Sequence, residues 1–392
     1  MNGWLDETRF PGLPAFSCGE AQETYEGMND TAVYGFDATT ADDAARYREL
    51  LISGGYEKAA ETTIGDCTFM TLTKDGVIVR VSHFPAKSLT KIIVTRGEKH
   101  PTLEVTGDFV WTPSITQIGR KGVLQFAPGN SYIMRNHDGT YVIIDGGPRD
   151  AEDTDHLMTF LKVHQLTADK PVIRLWLFSH PHGDHCNLAM DFWDKYHDEV
   201  VLEAVGYNFP NLESAPVKHG KPEDIEFHRT RIRDKAAEYF PEAKIFTPHG
   251  GDRYAMPGYV IDTLISYEDY FPGKMNDTNY YSLVWMIRSA HKKVLIPGDC
   301  GIPISDMLAD VYGSELKCDI MQICHHGNFG ATMGLYQNAD PDIVLWPEKE
   351  SLINSWERLQ GTEPGYEHNH WIRHSRPRLH LDNSVTTSFM LD

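Results

Sequence analysis

An α/β fold is predicted from about Thr112 to the C-terminus, preceded by a small α+β unit. Three observations lead there. Strand-length apolar runs alternate with helix-period segments through the second half of the chain, the pattern of layered α/β domains. Residues 31–96 instead hold one helical segment among several strand-like runs. Finally, 392 residues exceed the roughly 100–200 of a typical domain. The boundary is expected at 111/112: an accessory α+β domain at 1–111, opening with an irregular arm, then a larger α/β domain at 112–392.

In the first unit, Val33–Phe36 reads as a strand. Thr40 with Asp43 resembles a capping box and opens a helix through Ser53, with Ala44, Tyr47, Leu50 and Leu51 at helical spacing. Gly54-Gly55 stops it. Strand-like runs follow at Thr62–Leu72, Val77–Ser82 and Lys91–Thr95, the first two joined by the turn Lys74-Asp75-Gly76. Residues 97–112 read as a linker. Beyond it, strands are expected at Gly122–Phe126, Ser131–Arg135 and Tyr141–Ile144, with a hairpin turn at Asn136-His137-Asp138-Gly139. A helix from Asp153 to about His164 precedes the buried strand Val172–Phe178. A histidine-rich loop begins at Ser179, and helices follow at Asn187–Tyr196 and Asp224–Tyr239. Strands at Lys244–Phe246, Tyr259–Ile265, Ser282–Ile287 and Lys293–Ile296 lead to a helix at Ser305–Tyr312. Ile320–Cys324, Ile343–Trp346, Arg378–Leu381 and Thr386–Met390 close the chain as strands.

Composition limits the function. The chain is 41% hydrophobic and 23% charged, normal for a globular protein with a core. Its 56 acids against 36 bases give a net charge of −20, which argues against a nucleic-acid partner. The first unit, with 17 acids and 10 bases up to Trp111, looks no more suited to one. No segment approaches the ~18–20 apolar residues that span a bilayer, and Met1–Phe10 lacks an apolar signal core, so no membrane partner is expected. The six cysteines are scattered without a C-x-x-C pair, which reads as free thiols in a reducing cytoplasm.

The 19 histidines carry the functional reading. Ser179-His180-Pro181-His182-Gly183-Asp184-His185-Cys186 follows directly on a buried strand. In extended chain, residues i and i+2 point to one side, so His180 and His182 can grip one ion. Gly183 permits a sharp turn that lets Asp184 and His185 face a second. Imidazole and carboxylate donors suit Zn²⁺, and also Fe or Mn. Cys186 and Cys300 beside this chemistry read as small apolar filler, and Trp176 and Trp285 as core. Tyr280, Tyr281 and Phe329 adjoin motif residues and are candidates to line a substrate pocket.

This H-x-H-x-D-H run resembles the signature of the metallo-β-lactamase superfamily, and four further landmarks appear in order. Asp145 ends the run Ile143-Ile144-Asp145-Gly146-Gly147. His249 lies midway, in Thr247-Pro248-His249-Gly250, with His219 and His228 as rivals. Asp299 follows Val294-Leu295-Ile296-Pro297-Gly298. Cys324-His325-His326-Gly327 supplies the last histidine. Asn279-Tyr280-Tyr281-Ser282 and His325-His326-Gly327-Asn328 are similar to the subgroup of the DNA-uptake-channel hydrolase domain and the phosphorylcholine esterases. Asn328 departs from the serine often found in the DNA-uptake group.

The resemblance implies an αββα sandwich over about residues 113–392, with two metal ions per chain at one edge. His180, His182 and His249 would hold the first. Asp184, His185 and His326 would hold the second, with Asp299 bridging and His325 able to exchange roles with His326. Asp145 would lie beneath the metal loop and orient it. It further implies a metal-bridging hydroxide that attacks a small phosphodiester or phosphoester. Asp184 would orient the nucleophile, His325 would donate to the oxyanion or leaving group, and Asn279 and Asn328 would bind the substrate. Hydrolysis of a lactone, β-lactam or thioester is the alternative, and a metal-stabilised binding or scaffold protein the reading from another class. The redox branch of the fold commonly has glutamate where His182 stands. The N-terminal unit would cap the site, restrict substrate size or build a homodimer.

Overall fold

The computed structural model describes residues 9–27, 30–97, 112–121, 129–165, 169–211, 222–272 and 277–392. The expected strand Gly122–Phe126, His219 and all but the ends of the expected linker lie outside them. Among the described residues the chain forms three sheets.

The first sheet belongs to the N-terminal unit. Ala32–Asp37, Glu57–Ile64, Cys67–Lys74, Val77–Phe84 and Leu89–Arg96 pair antiparallel. The helix Ala41–Ser53 packs on one face, its Ala44, Tyr47 and Leu51 sharing a core with Leu72, Val79, Val81, Ile92 and Val94. Thr40 caps that helix through the expected box with Asp43. The expected single run Thr62–Leu72 is two strands, because the chain turns at Gly65-Asp66, where Gly65 takes a left-handed φ of 57°. Apolar content alone runs across that turn; only the positive φ that glycine allows makes the hairpin.

The other two sheets face each other. In one, Tyr141–Ile144 pairs parallel with Val172–Phe178 and antiparallel with Tyr132–Arg135. In the other, Tyr259–Ile265, Val284–Ser289 and Lys293–Ile296 run antiparallel, and Ile320–Gln322 and Ile343–Leu345 extend the sheet in parallel. Leu175 and Leu177 from the first meet Trp285, Ile287 and Ile296 from the second in a shared core. Trp176 and Phe178, alternating with them, point the other way, onto the helices Ala151–His164, Gly183–Tyr196 and Pro222–Tyr239. The helix Gly301–Tyr312 covers the outer face of the second sheet with Met333–Ala339 and Pro364–His374. The layer order is therefore αββα. Both tryptophans are core residues, as their strand positions predict.

Several elements were not foreseen. Ser114–Gln117 pairs with Thr387–Met390, so the last strand closes the first of these two sheets. Arg253–Met256, Ala204–Tyr207 and the helices after Met333 also escape sequence patterning. Those helices are short and bury only a few side chains each.

The N-terminal sheet is packed against the sandwich. Ile64, Cys67, Phe69, Phe84 and Leu89 join the core around Leu264, Val284 and Met307, and Tyr25 stacks edge-on against Tyr267. Phe69 lies so close to Gly251 (φ 87°) that a Cβ there would sit 2.1 Å from its ring. Gly251→Ala should therefore combine left-handed strain with overpacking and cost about 2–4 kcal/mol. A thermal unfolding midpoint equal to that of the parent would remove this contact from the account. No helix among the described residues is long and apolar enough to cross a membrane.

Candidate metal centre

The centre is assembled where strands of both facing sheets end. Parallel pairing of Tyr141–Ile144 with Val172–Phe178 brings Asp145 beside Ser179. Asp145 adopts a left-handed φ of 58° and is fully buried. Its Oδ1 accepts from the Ser179 amide at 2.7 Å. Its Oδ2 lies 2.8 Å from both the Ser179 hydroxyl and His185 Nδ1. A carboxylate on Nδ1 fixes the ring and leaves Nε2 as the donor for a metal.

His180 and His182 lie in the segment that follows, His182 still extended at φ −101°, ψ 152°. The helix begins at Gly183, four residues before the expected Asn187, with His182 at its N-cap. Asp184 and His185 thus occupy its first turn. A Cβ on Gly183 just before them would lie 2.5 Å from the Asn187 side chain, so glycine lets the helix start close against its own next turn.

From the other sheet, Lys293–Ile296 ends in Gly298-Asp299. The Asp299 amide donates to the Ser282 hydroxyl at 3.0 Å, and the Leu283 amide to the Ser179 carbonyl at 3.0 Å. The second bond joins the edges of the two sheets, and the first gives the serine of the N-x-x-S pattern a structural role. His325 and His326 both hold left-handed backbone, φ 48° and 57°. Such strain costs roughly 1–3 kcal/mol per residue and persists only when the surroundings enforce it. Here Asn369 grips the Gly327 carbonyl at 2.7 Å and the Gly298 carbonyl accepts from the His325 amide at 3.2 Å.

Five expected residues converge. His185 Nε2 is 3.2 Å from Asp299 Oδ2 and 3.2 Å from His326 Nε2. Asp184 Oδ2 is 3.3 Å from His326 Nε2, and His180 Nε2 is 3.7 Å from Asp299 Oδ2. Two groups of metal-capable donors result, His180–His185–Asp299 and Asp184–His185–His326. Ligands about 2.0–2.1 Å from one zinc ion stand about 3.3 Å apart in a tetrahedron, the spacing found here. The Nε2 of His180 and Oδ1 of Asp299 are buried without a hydrogen-bond partner. Buried polar atoms left in that state cost free energy unless something binds them. The donor set therefore fits a divalent cation pair of the zinc, iron or manganese type.

Electrostatics agree with that fit. Burial opposes charge on Asp299 and Asp184, yet the surrounding histidines hold both carboxyls well below their ordinary range. Burial, with His185 beside it, keeps His180 well below the usual imidazole value and hence neutral. For His185 burial is outweighed by Asp299 and Asp145, which raise it.

The remaining expected residues stand differently. His182 is next to His180, ring centroids 4.6 Å apart, but its Nε2 contacts the Thr278 hydroxyl. His249 is fully buried; its Nδ1 is 2.5 Å from Glu268 Oε2, and its Nε2 has no hydrogen-bond partner. Neither belongs to the two donor groups. The rival His228 bonds the Asp224 carbonyl and Asn187 instead. His325 stacks on the exposed Phe329 and keeps its Nε2 3.9 Å from Asp299. Asn279 buries an Oδ1 without a partner, and Asn328 Oδ1 accepts from Tyr366 at 2.8 Å. Tyr281 belongs to the core, while Tyr280 is half-buried against Gly301. Cys186 and Cys300 are buried thiols, and all six cysteines are free.

Sequence reasoning missed Glu268, Thr278 and Asp252. Glu268 accepts from Asn208 at 3.0 Å and Ser266 at 3.2 Å as well as facing His249, and Asp252 accepts the His249 amide at 2.7 Å. The capping box of Ser266 and Asp269 is the one local signal near Glu268, and it points to a helix start rather than to a histidine partner.

Residues 124–258 match the family model described as the metallo-beta-lactamase superfamily, and the αββα layers above are consistent with that fold. The match covers the H-x-H-x-D-H run and His249 and ends before Asp299 and His326. No curated protein matches the chain. Among solved structures, the chain is similar to CmlA, a diiron β-hydroxylase from Streptomyces venezuelae, at 12% identity and TM-score 0.41, over 74% of this chain and 55% of that one. It spans little more than half of CmlA's length. It is similar to the metallo-beta-lactamase fold protein YhfI from Bacillus subtilis, at 12% identity and TM-score 0.42, over 71% of this chain and all of that one. It is also similar to Zn²⁺-bound PqqB from Methylobacterium extorquens, at 10% identity and TM-score 0.41, over 70% and 99% of the two chains.

Proposed function

We propose that the chain is a hydrolase dependent on two divalent cations, zinc in the first instance, acting on a small phosphodiester or phosphoester. One observation carries the reading: His180, Asp184, His185, Asp299 and His326 present donor atoms at the spacing of a shared coordination sphere. The family match over 124–258 supports it. In this reading His182 and His249 complete the first ligand set, and Asp299 is shared. Bound there, such cations supply Lewis acidity and a water acidified towards neutral pH.

The chain's own residues supply the rest. Asp184, a quarter exposed beside His326, orients the attacking water and receives its proton. His325, at the solvent edge of the same loop, donates to the negative charge that develops on the substrate oxygen or leaving group. Asn328, its Oδ1 held by Tyr366, and Asn279, in the turn Thr278–Tyr281, would bind the substrate. The net charge of −20 favours a small substrate over a polynucleotide.

Metal analysis of protein purified without added metal, combined with a chromogenic substrate panel, tests this. Two tightly held zinc ions per chain are expected, with phosphodiester turnover abolished by chelation and restored by zinc. Turnover confined to lactones or β-lactams would move the substrate to the carbonyl class. Redox-active iron, or metal binding without turnover of any ester, would overturn the hydrolase reading.

A further inference from the structure

A second cluster of metal-binding side chains lies on the last helix, Pro364–His374, and shares no residue with the buried centre. His370 and His374 are four residues apart, so they project from one face of that helix, and their ring centroids are 4.4 Å apart. Both face Glu357, in the short turn Glu357–Leu359. His374 Nε2 is 2.6 Å and His370 Nδ1 3.6 Å from the same oxygen, Oε1. Arg373 occupies the other oxygen, Oε2, at 2.9 Å. The carboxylate thus presents a single oxygen to two imidazoles.

We propose that Glu357, His370 and His374 form a peripheral site for a first-row divalent cation of the zinc type. The three donor atoms lie within 4.8 Å of one another. The distances of 2.6 and 3.6 Å bracket the spacing of about 3.3 Å that tetrahedral zinc imposes, so small side-chain rotations close the sphere. Two nitrogens and one oxygen suit zinc and its neighbours, whereas calcium and magnesium take oxygen donors. The histidines sit in the helix's last turns, where its dipole favours positive charge. Their side chains are 44% and 51% exposed, so solvent can complete the coordination. One contact must yield: the Gln360 amide lies 2.7 Å from His370 Nδ1, and on this exposed surface it can turn away into water.

Such an ion would cross-link the helix end to the turn before it. That helix also braces the His326 loop, through Asn369 to the Gly327 carbonyl, Tyr366 to Asn328 and His368 to the Ala331 carbonyl. The peripheral ion would therefore stiffen the support of the buried centre without touching it.

Zinc titration of the untagged protein, its tight sites already filled, tests the proposal. One further equivalent is expected by calorimetry, weaker than the first ones. In His370→Ala/His374→Ala that equivalent should vanish while the tight equivalents remain. Glu357→Gln should weaken it at least tenfold, and cobalt should give an additional visible absorption band in the parent alone. These positions are on the surface, and circular dichroism of the variants verifies their folding. Absence of an extra equivalent in the parent, or its persistence in the double variant, would overturn the site.

Discussion

Asp299→Ala is expected to abolish turnover and to lower the metal content of the purified protein. Asp299 approaches both donor groups, with Oδ2 3.2 Å from His185 and from His326 and 3.7 Å from His180. Its other oxygen has no hydrogen-bond partner. Removing it leaves three imidazoles facing one another without the anion that separates them. A cation pair brought together there would lose its shared ligand and repel. Several kcal/mol of transition-state stabilisation depend on such a pair, so turnover should fall by at least about 10³-fold. Asp299→Asn should fall nearly as far, since the amide keeps the shape and loses the charge. The checks are zinc per chain by elemental analysis and turnover at saturating zinc. A folded Asp299→Ala protein that retains two tight zinc ions and parental turnover would remove the bridging role.

Glu268→Ala is expected to weaken metal binding about 10–100-fold, the usual effect of removing a carboxylate behind a histidine ligand. Glu268 is fully buried and lies 2.5 Å from His249 Nδ1, leaving Nε2 as the free donor. Its surroundings come from three parts of the chain. Asn208 and Ser266 donate to it, and Lys91 of the N-terminal sheet, whose ammonium burial pushes down to about 8, lies within its electrostatic reach. Lys91 is itself fixed by Gln22 at 2.9 Å and by the Phe271 carbonyl. Glu268→Gln should do less harm, because its amide oxygen can still accept from Nδ1–H. Chelator competition on folded protein measures the affinity. If Glu268→Ala binds zinc as tightly as the parent, His249 is not a ligand and the first ion must be held without it. The same contacts give the N-terminal unit a physical connection to the centre: it delivers a buried cation and the Phe69 ring against the two segments that carry His249 and Glu268.

How much of this was legible before folding depends on distance along the chain. The run from His180 to His185 could be read because its donors are adjacent, although the structure groups His180 with His185 and Asp299 and turns His182 to Thr278. Asp145, Asp299 and His326 were legible through the resemblance, as landmarks in the expected order, each within four residues of the end of a strand. Glu268 could not. It lies in Ser266-Tyr267-Glu268-Asp269-Tyr270, where an acid between tyrosines looks like a solvated surface residue, and only packing against Asn208 and the His249 loop buries it. Thr278 was equally silent, since nothing local says that it will meet His182. The turn at Gly65-Asp66 was overlooked because β-branched and apolar residues continue on both sides of it.

By itself, the sequence determined much of the alternation of strands and helices, the one-helix, several-strand pattern of residues 31–96 and the segments that carry candidate donors. These are properties of short windows, set by side-chain period, caps and turn residues. The tertiary structure decided which donors face one another, which imidazole nitrogen is left free, and which distant residues fix it. Those outcomes depend on parallel crossovers and on two sheets packing face to face, and the chemistry resides in contacts between residues more than 100 positions apart, such as His185 with Asp299 and with His326.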